Sequence, residues 1–147
     1  MTDTHSQYTF DLSPLSDLGE LKVSAVSGSV NYTYGVSVCG KSACGGGACQ
    51  YKPSDTSFSK NLGTVSNLSL AITGSDELIL TYYGGDACHN NAYNRSSVIV
   101  FSCDPHAGNG TLAFGYERSD CTYVFSWKTA LVCKPAVCGC PSLSILN

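Results

Sequence analysis

The stretch Val30-Asn-Tyr-Thr-Tyr-Gly-Val-Ser-Val38 decides the fold class, because large apolar side chains alternate along it with small or polar ones. Three valines and two tyrosines fall on one side of an extended chain, and Asn, Thr, Gly and Ser fall on the other. A period of two residues is that of a β-strand with one buried face. This stretch therefore predicts a strand at residues 30–38.

The same alternation recurs along the chain, and clusters of Gly, Asp, Asn and Pro separate one stretch from the next. No segment of ten or more residues carries the apolar stripe of an amphipathic helix. Short strands at this spacing, with frequent turns, are typical of an all-β sandwich or flattened barrel. We predict further strands at residues 8–12, 21–26, 68–73, 77–83, 97–102, 111–116 and 122–127.

Length and charge restrict the possible partners. The chain has 147 residues, with 8 basic and 11 acidic side chains and a net charge of −3. Nucleic-acid binding relies on clustered Lys and Arg that neutralise phosphates, so we exclude nucleic acid as a partner. The length fits one domain. We place that domain at residues 1–133 and an appended, cysteine-containing tail at 134–147.

Cysteines and glycosylation sequons predict an oxidising compartment. The chain has 9 cysteines, and thiols stay reduced in the cytosol. No apolar run reaches the roughly 18 residues of a membrane span, and the first residues lack the basic and apolar regions of a signal peptide. We therefore expect a luminal or extracellular domain whose membrane anchor lies outside this sequence. The glycosylation candidates are Asn31, Asn67 and Asn109, with a fourth sequon at Asn94.

The residues show no catalytic constellation, and we expect no enzymatic activity. His5, His89 and His106 lie far apart, and no Gly-x-Ser-x-Gly or His-Glu-x-x-His motif places one beside a nucleophile or metal. The run Gly45-Gly-Gly47 resembles a phosphate-binding loop, but such a loop requires a helix after it. We interpret these glycines as a tight turn that lets a small disulfide close.

A cysteine cluster near the end of the chain could be read as a zinc site. Cys133, Cys138 and Cys140 have no neighbouring His, and their spacing matches no standard zinc site. Disulfides explain them better, so we expect no metal and no cofactor.

Four polar residues stand near cysteines, and crosslinks at those cysteines would restrict where their backbones lie. An amide, a guanidinium, a carboxylate and a phenol together supply the donors and acceptors that sugar hydroxyls need. Four ordinary surface side chains would give the same pattern, so the residues alone leave both interpretations open. The four are Gln50, Arg95, Glu117 and Tyr123.

The sequence resembles the mannose 6-phosphate receptor homology (MRH) domain, a luminal module of the mannose 6-phosphate receptors. The similarity runs from about residue 8 to residue 133, most of the chain, and the order of its segments is more specific than any one motif. The segments are Tyr8-Thr-Phe-Asp-Leu-Ser-Pro-Leu15, Gly35-Val-Ser-Val-Cys39, Gly47-Ala-Cys-Gln50, Leu80-Thr-Tyr-Tyr-Gly-Gly-Asp-Ala-Cys88, Arg95-Ser-Ser-Val-Ile-Val-Phe-Ser-Cys103, Phe114-Gly-Tyr-Glu117 and Cys121-Thr-Tyr-Val-Phe-Ser-Trp-Lys-Thr-Ala-Leu-Val-Cys133.

The resemblance implies a disulfide-stapled, flattened β-barrel of two orthogonal antiparallel sheets. Family members pair the cysteine at Cys39 with one upstream, and this chain has no cysteine before it. Cys138 and Cys140 are the candidates to take that place. The implied disulfides are Cys44 with Cys49, Cys88 with Cys121, and Cys103 with Cys133.

The family's four sugar-binding residues fall on Gln50, Arg95, Glu117 and Tyr123. By resemblance, we expect a luminal lectin that binds terminal mannose or phosphomannose on N-glycans of lysosomal glycoproteins, in receptor-mediated sorting through the Golgi, endosome and lysosome. Neighbouring domains of the same kind are expected. A glycan on Asn94 would crowd Arg95, so we expect that side chain to be unmodified or turned away.

Two alternatives to the lectin remain. One is a protein-binding barrel, like the receptor domain that binds a peptide growth factor, and the other is a structural spacer without sugar binding. The full set of four sugar-binding residues favours the lectin over the protein-binding barrel, and the spacer stays open. The loop at residues 85–88 is short, whereas some phosphomannose-binding members contact phosphate with a longer one, so the sequence leaves phosphate recognition open.

Overall fold

A computed structural model of the chain describes residues 10–73 and 77–133. These residues form an all-β fold, as predicted, with one four-residue helix and one 3-10 turn at Ala130–Val132. No helix in the two described ranges is long and apolar enough to cross a membrane. The elements are α1 Ser13–Ser16, β1 Leu21–Ser27, β2 Val30–Val36, β3 Ala48–Lys52, β4 Asp55–Asn61, β5 Thr64–Ile72, β6 Leu78–Tyr83, β7 Ala87–Cys88, β8 Tyr93–Asn94, β9 Ser96–Cys103, β10 Thr111–Glu117 and β11 Thr122–Thr129.

Two main sheets form a flattened barrel that does not close. The first sheet has the strand order β1-β2-β3-β4, with every neighbouring pair antiparallel. The second sheet has the order β10-β11-β9-β6-β5. A small β7-β8 hairpin lies between β6 and β9 in the chain. The predicted disulfide-stapled barrel of two sheets is thus confirmed, apart from one strand pair.

That pair is β9 and β11, which run parallel, whereas antiparallel sheets were expected. The register places Thr122 opposite Ser96 and Thr129 opposite Cys103. The reason is that β10 and β11 form a hairpin whose second strand, not its first, lies next to β9. Parallel neighbours require such a crossover connection, and alternation along a single strand carries no information about it.

Strands β3 and β4 were not predicted, because neither alternates between one buried and one exposed face. In β3, the first three residues, Ala48 to Gln50, are all buried. Strand β4 lies at the edge of its sheet, and its side chains are mostly exposed. A period of two reveals only strands with one buried face. This omission matters because β3 carries Gln50.

The prediction of a strand at residues 8–12 is wrong for the described part, since residues 10–12 do not belong to a strand; residues 8 and 9 lie outside the described residues. The chain instead enters α1, with Pro14 in its first turn, where a missing N–H costs little. Phe10, Leu12 and Leu15 are nevertheless buried in the core. Their apolar spacing therefore reports burial and not sheet pairing.

A fully buried tyrosine fastens the two sheets together. The Tyr82 hydroxyl donates to the Ser37 carbonyl (2.7 Å) and accepts from the Cys39 N–H (2.8 Å). Its ring lies against Gly47, where an added Cβ would collide with it. Gly45 has a φ of +95° and supplies the turn. The glycine run therefore serves both a turn, as expected, and a close approach of β6, which was not expected.

Three disulfides crosslink the residues that the structure describes, and they are the three pairs that the resemblance implies. One closes the glycine-rich loop before β3, one joins β7 to the turn before β11, and one ties the end of β9 to the chain after the 3-10 turn. Cys138, Cys140 and the rest of the proposed tail lie outside the described residues. The disulfides are Cys44–Cys49, Cys88–Cys121 and Cys103–Cys133.

Candidate functional site

Arg95 lies between β8 and β9, and its guanidinium is held at two points. Its Nε donates to the hydroxyl of Tyr123 at 3.4 Å, and its Nη1 donates to the carbonyl of Ala87 at 2.6 Å. Its backbone carbonyl also accepts from the Gly85 N–H at 2.8 Å. Two side-chain contacts therefore hold the guanidinium beside the phenol before any ligand arrives, and the backbone contact fixes the residue itself, which lowers the ordering cost of binding.

Glu117 joins this pair from the neighbouring strand. It is the last residue of β10 and stands directly opposite Tyr123 in β11, so both side chains project from the same face of the sheet. Burial raises the pKa of the Tyr123 phenol, the hydrogen bond from Arg95 opposes that rise, and the nearby negative charge of Glu117 adds to it. The phenol therefore remains protonated at neutral pH and able to donate.

Gln50 reaches the same place from the other sheet. It is 4% exposed on β3, opposite Tyr34 on β2, and its Nε2 donates to the Tyr34 hydroxyl at 3.2 Å. The ring of Tyr34 lies 5.9 Å from the ring of Tyr123, centroid to centroid. The contact between these two tyrosines connects the sheets.

The structure thus brings all four predicted residues together around the Tyr34–Tyr123 contact, although they are spread over three strands and a loop. The arrangement combines a donor-only guanidinium, an acceptor-only carboxylate, and an amide and a phenol that both donate and accept. Such a set matches a ligand that presents several hydroxyl groups in fixed directions.

Tyr34 was not predicted as a site residue. It is 1% exposed, and its ring stacks on Phe114 with centroids 4.4 Å apart. Burial raises its pKa to about 12, while the hydrogen bond from Gln50 opposes that rise. The alternation of residues 30–38 indicated a buried face that includes Tyr34. Its contact with Gln50 depends on the pairing of β2 with β3, and β3 was not predicted.

The four sequon asparagines are all exposed. Asn94 is turned away from Arg95, since it lines a cavity together with Ser96 while the guanidinium between them contacts Tyr123. Its amide Nδ2 donates to the Gly85 carbonyl at 3.1 Å. Whether Asn31, Asn67 and Asn109 carry glycans stays a prediction.

Within residues 10–73 and 77–133, one cluster has the residue types of a metal site. The sulfurs of Cys88 and Cys121 and a ring nitrogen of His89 lie within 4.8 Å of one another. The two sulfurs are bonded to each other, and only a thiolate ligates metal strongly. This cluster is therefore a disulfide with a histidine beside it.

Comparisons with known proteins agree with this geometry. The family model described as "Mannose-6-phosphate receptor" matches residues 2–146. The human cation-independent mannose-6-phosphate receptor is 33% identical over 122 residues, which cover 82% of this chain and 4% of the receptor. The rat cation-dependent mannose-6-phosphate receptor is 32% identical over 120 residues, 75% of this chain and 42% of the receptor. The chain thus spans less than half of each of these relatives.

Solved structures show the same fold. Domain 11 of the echidna IGF2R receptor has a TM-score of 0.73 and 29% identity, covering 93% of this chain and 95% of that domain. Chicken IGF2R domain 11 has a TM-score of 0.74 and 25% identity, covering 93% and 92%. The MRH domain of Yos9 complexed with α3,α6-Man5 has a TM-score of 0.52 and 15% identity, covering 83% and 80%, and supports the fold alone. The chain therefore belongs to the mannose-6-phosphate receptor family, as an MRH domain.

Proposed function

We propose that this chain is a luminal lectin domain that binds terminal mannose or phosphomannose on N-glycans of lysosomal glycoproteins, in receptor-mediated sorting. The observation that carries the proposal is the convergence of Gln50, Arg95, Glu117 and Tyr123 at one contact between the two sheets. Membership of the mannose-6-phosphate receptor family supports it. The lectin domain is residues 1–133, with the tail at 134–147.

Each of the four side chains has a role that its chemistry permits. Gln50 and Arg95 engage the axial 2-hydroxyl of mannose, while Glu117 and Tyr123 engage the 3- and 4-hydroxyls. Because the Tyr123 oxygen already accepts from Arg95, its own proton is directed to Glu117 or to a sugar oxygen. The carboxylate only accepts and the guanidinium only donates, so the hydroxyls of the ligand must be oriented to match.

Selectivity follows from the buried polar groups. Gln50 and Tyr123 are 4% and 2% exposed. If a bound sugar does not place a hydroxyl against their free donors or acceptors, water cannot reach those atoms to form the missing hydrogen bonds. A buried donor or acceptor without its partner costs about 1 to 3 kcal/mol, or roughly 5- to 150-fold in affinity. Glucose, whose 2-hydroxyl points in another direction, is expected to bind more weakly by this factor.

The test is titration calorimetry with methyl α-mannoside, mannose 6-phosphate and a capped mannose phosphodiester, alongside a glycan array. The intact chain and the control Lys128→Ala, an exposed residue of β11, should bind mannose-terminated ligands. Arg95→Ala and Tyr123→Phe should not. An intact, folded chain that binds none of these ligands would defeat the proposal, and the three ligands together define the role of phosphate.

One observation favours a second candidate, a protein-binding barrel. The two domain 11 structures come from a receptor named IGF2R, and a growth-factor-binding receptor domain is the model for this candidate. They match this chain with TM-scores of 0.73 and 0.74, whereas the glycan-bound Yos9 domain matches with 0.52. The complete set of four sugar-binding residues speaks for the lectin. A folded chain without affinity for any mannose ligand, and with Arg95→Ala indistinguishable from it, would favour the protein-binding barrel or a spacer.

A single site for one sugar ring implies weak binding, because few atoms of a monosaccharide make contact. Useful affinity then requires several linked sites. Once one site is occupied, a linked site meets the same glycoprotein at a high effective concentration, and this raises the overall affinity. The 4% coverage of the human cation-independent receptor is compatible with one module among many. We therefore propose neighbouring MRH domains as the physiological setting.

A further inference from the structure

A cavity of about 410 Å³ opens on the outer face of the second sheet, away from the four-residue site. Successive residues of a strand point to opposite faces. Thr122 therefore lines this cavity while Tyr123 faces the site. From its lining we propose that this cavity is a second saccharide-binding site, independent of Gln50, Arg95, Glu117 and Tyr123.

Two tyrosines supply the apolar part of the cavity. Tyr83 at the end of β6 and Tyr93 in β8 are each 45% exposed. Exposed tyrosines combine a rigid apolar ring with a polar end, and the C–H face of a pyranose ring can pack on such a surface. Tyr93 is supported by His89, whose ring meets it edge to face at 6.0 Å. An open cavity with two aromatic side chains suits one or two sugar rings.

An ion pair supplies directed polar groups at the cavity. Arg118 Nη2 donates to Asp120 Oδ2 at 2.9 Å. The other carboxylate oxygen, Oδ1, is shielded from solvent and accepts no hydrogen bond from any residue in the described ranges. An unpaired carboxylate oxygen is costly. A small reorientation of Asp120 would let a ligand hydroxyl donate to it.

The turn that carries this ion pair is held in place. The Arg118 N–H donates to the Thr122 carbonyl (2.8 Å), the Cys121 N–H donates to the Arg118 carbonyl (3.0 Å), and the Cys88–Cys121 disulfide anchors the turn to β7. Preorganised polar groups lose little entropy when a ligand arrives. Binding to the polar groups of this turn therefore costs less entropy than binding to mobile surface side chains.

The floor of the cavity is made of hydroxyl groups. Ser96 Oγ and Thr122 Oγ1 lie 3.0 Å apart on the parallel strands β9 and β11. Thr81 and Thr122 are only 9% and 7% exposed, although they face outward. With one donor-only group, one acceptor-only group and several hydroxyls, the lining fits a neutral polyol such as a hexose. The paired charges of Arg118 and Asp120 leave no net charge to attract an ion.

The hexose has two possible sources. Asn94 lines the cavity and belongs to a sequon. Asn67, a second sequon asparagine, has its Nδ2 beside Gly84, the residue after Tyr83. The ligand is therefore either the chain's own N-glycan, folded onto the tyrosines, or a glycan of another glycoprotein. Both are saccharides, and the experiment distinguishes them.

The experiment is a ¹H–¹⁵N NMR titration with the methyl glycosides of mannose, N-acetylglucosamine and galactose. The chain is made without glycans in a bacterial periplasm and carries Gln50→Ala, which silences the first site from the opposite sheet. At least one glycoside should shift the amides of Tyr83, Tyr93, Asp120 and Thr122. Because Gln50→Ala removes the proposed mannose contact, failure of the first site leaves this readout intact.

Variants and a glycosylated sample complete the test. Tyr93→Ala and Asp120→Ala should each lower the affinity obtained from these shifts at least tenfold. Tyr116→Ala, which changes an exposed tyrosine of β10 outside the cavity, should leave that affinity unchanged. If the amides of Asp120 and Thr122, which are remote in sequence from Asn94, are already displaced in chain from a eukaryotic host, its own glycan is the occupant; if added glycoside still shifts them, the source is external. The proposal is overturned if neither glycosides nor glycosylation move these amides.

Discussion

Arg95 Nε and Tyr123 Oη lie 3.4 Å apart although 28 positions separate them in the chain. The Cys88–Cys121 disulfide encloses Arg95 within its loop and ends two residues before Tyr123. The crosslink therefore restricts both side chains to one region of the fold. The predictions below test how that region is held and what it binds.

Replacing Arg95 with lysine should weaken mannose binding although the charge is kept. The guanidinium reaches both Tyr123 and the Ala87 carbonyl, and a single ammonium cannot reproduce that planar fork. We expect affinity for methyl α-mannoside to fall roughly 5- to 150-fold in calorimetry, the factor for an unpaired buried polar group. The control Lys128→Arg should bind like the intact chain, and equal affinity for Arg95→Lys would contradict a directional role of the guanidinium.

Tyr34→Phe should reduce both stability and sugar affinity. The ring would keep its stacking on Phe114, but the Gln50 amide would lose its acceptor. The loss of one buried hydrogen bond costs about 1 kcal/mol in urea unfolding. We expect mannose affinity to fall as well, because Gln50 is then free to rotate. Tyr32→Phe, a half-buried tyrosine on the same strand, is the control and should change neither quantity.

Gly47→Ala should destabilise the fold, because its Cβ would collide with the Tyr82 ring that fastens the two sheets. Overpacking of this kind costs about 1 to 3 kcal/mol in the free energy of unfolding. Gly40→Ala is the matched control, since its Cβ would meet no atom closer than 3.9 Å and its φ is not in the left-handed region. Thermal unfolding should separate the two variants; equal melting temperatures would refute the packing argument.

Stability should decrease in alkali partly through Tyr34. Its folded pKa is raised to about 12, chiefly by burial, whereas an unfolded tyrosine titrates near 10. The stabilisation is complete below pH 10 and is lost as pH rises towards 12, about 3 kcal/mol in total. Urea unfolding of the intact chain and of Tyr34→Phe should show the stability difference shrinking between about pH 9 and 11.5, the range around that reference value. A constant difference would argue against a raised pKa.

Removing the Cys88–Cys121 disulfide should abolish mannose binding even where the fold survives. The crosslink closes a loop of 33 residues, which corresponds to about 3 to 4 kcal/mol of unfolded-state entropy. The double variant Cys88→Ser/Cys121→Ser should therefore melt earlier and lose the Arg95–Tyr123 contact. Cys44→Ser/Cys49→Ser, which opens a loop of only 5 residues, should lose less stability. Full mannose affinity in the first variant would contradict the positioning role.

Alternation in the sequence predicted strands that bury every second residue, such as β9, and it failed for β3, whose first three residues are all buried. For the same reason the role of Tyr34 beside the candidate site was not predicted, because its partner Gln50 lies on β3. Resemblance indicated Gln50, Arg95, Glu117 and Tyr123 without any knowledge of distance. Candidate site residues can thus be named before the contacts that position them are known.

By itself the sequence determined an all-β, cysteine-rich domain and predicted an oxidising compartment, because periodicity and cysteine content are properties of neighbouring residues and of composition. Only the tertiary structure decided that β11 runs parallel to β9, that Tyr34 links Gln50 to Tyr123, and that Thr122 opens onto a second cavity. These relationships depend on which strands become neighbours. Strand neighbours are selected by packing between residues far apart in the chain, and no local pattern records that choice.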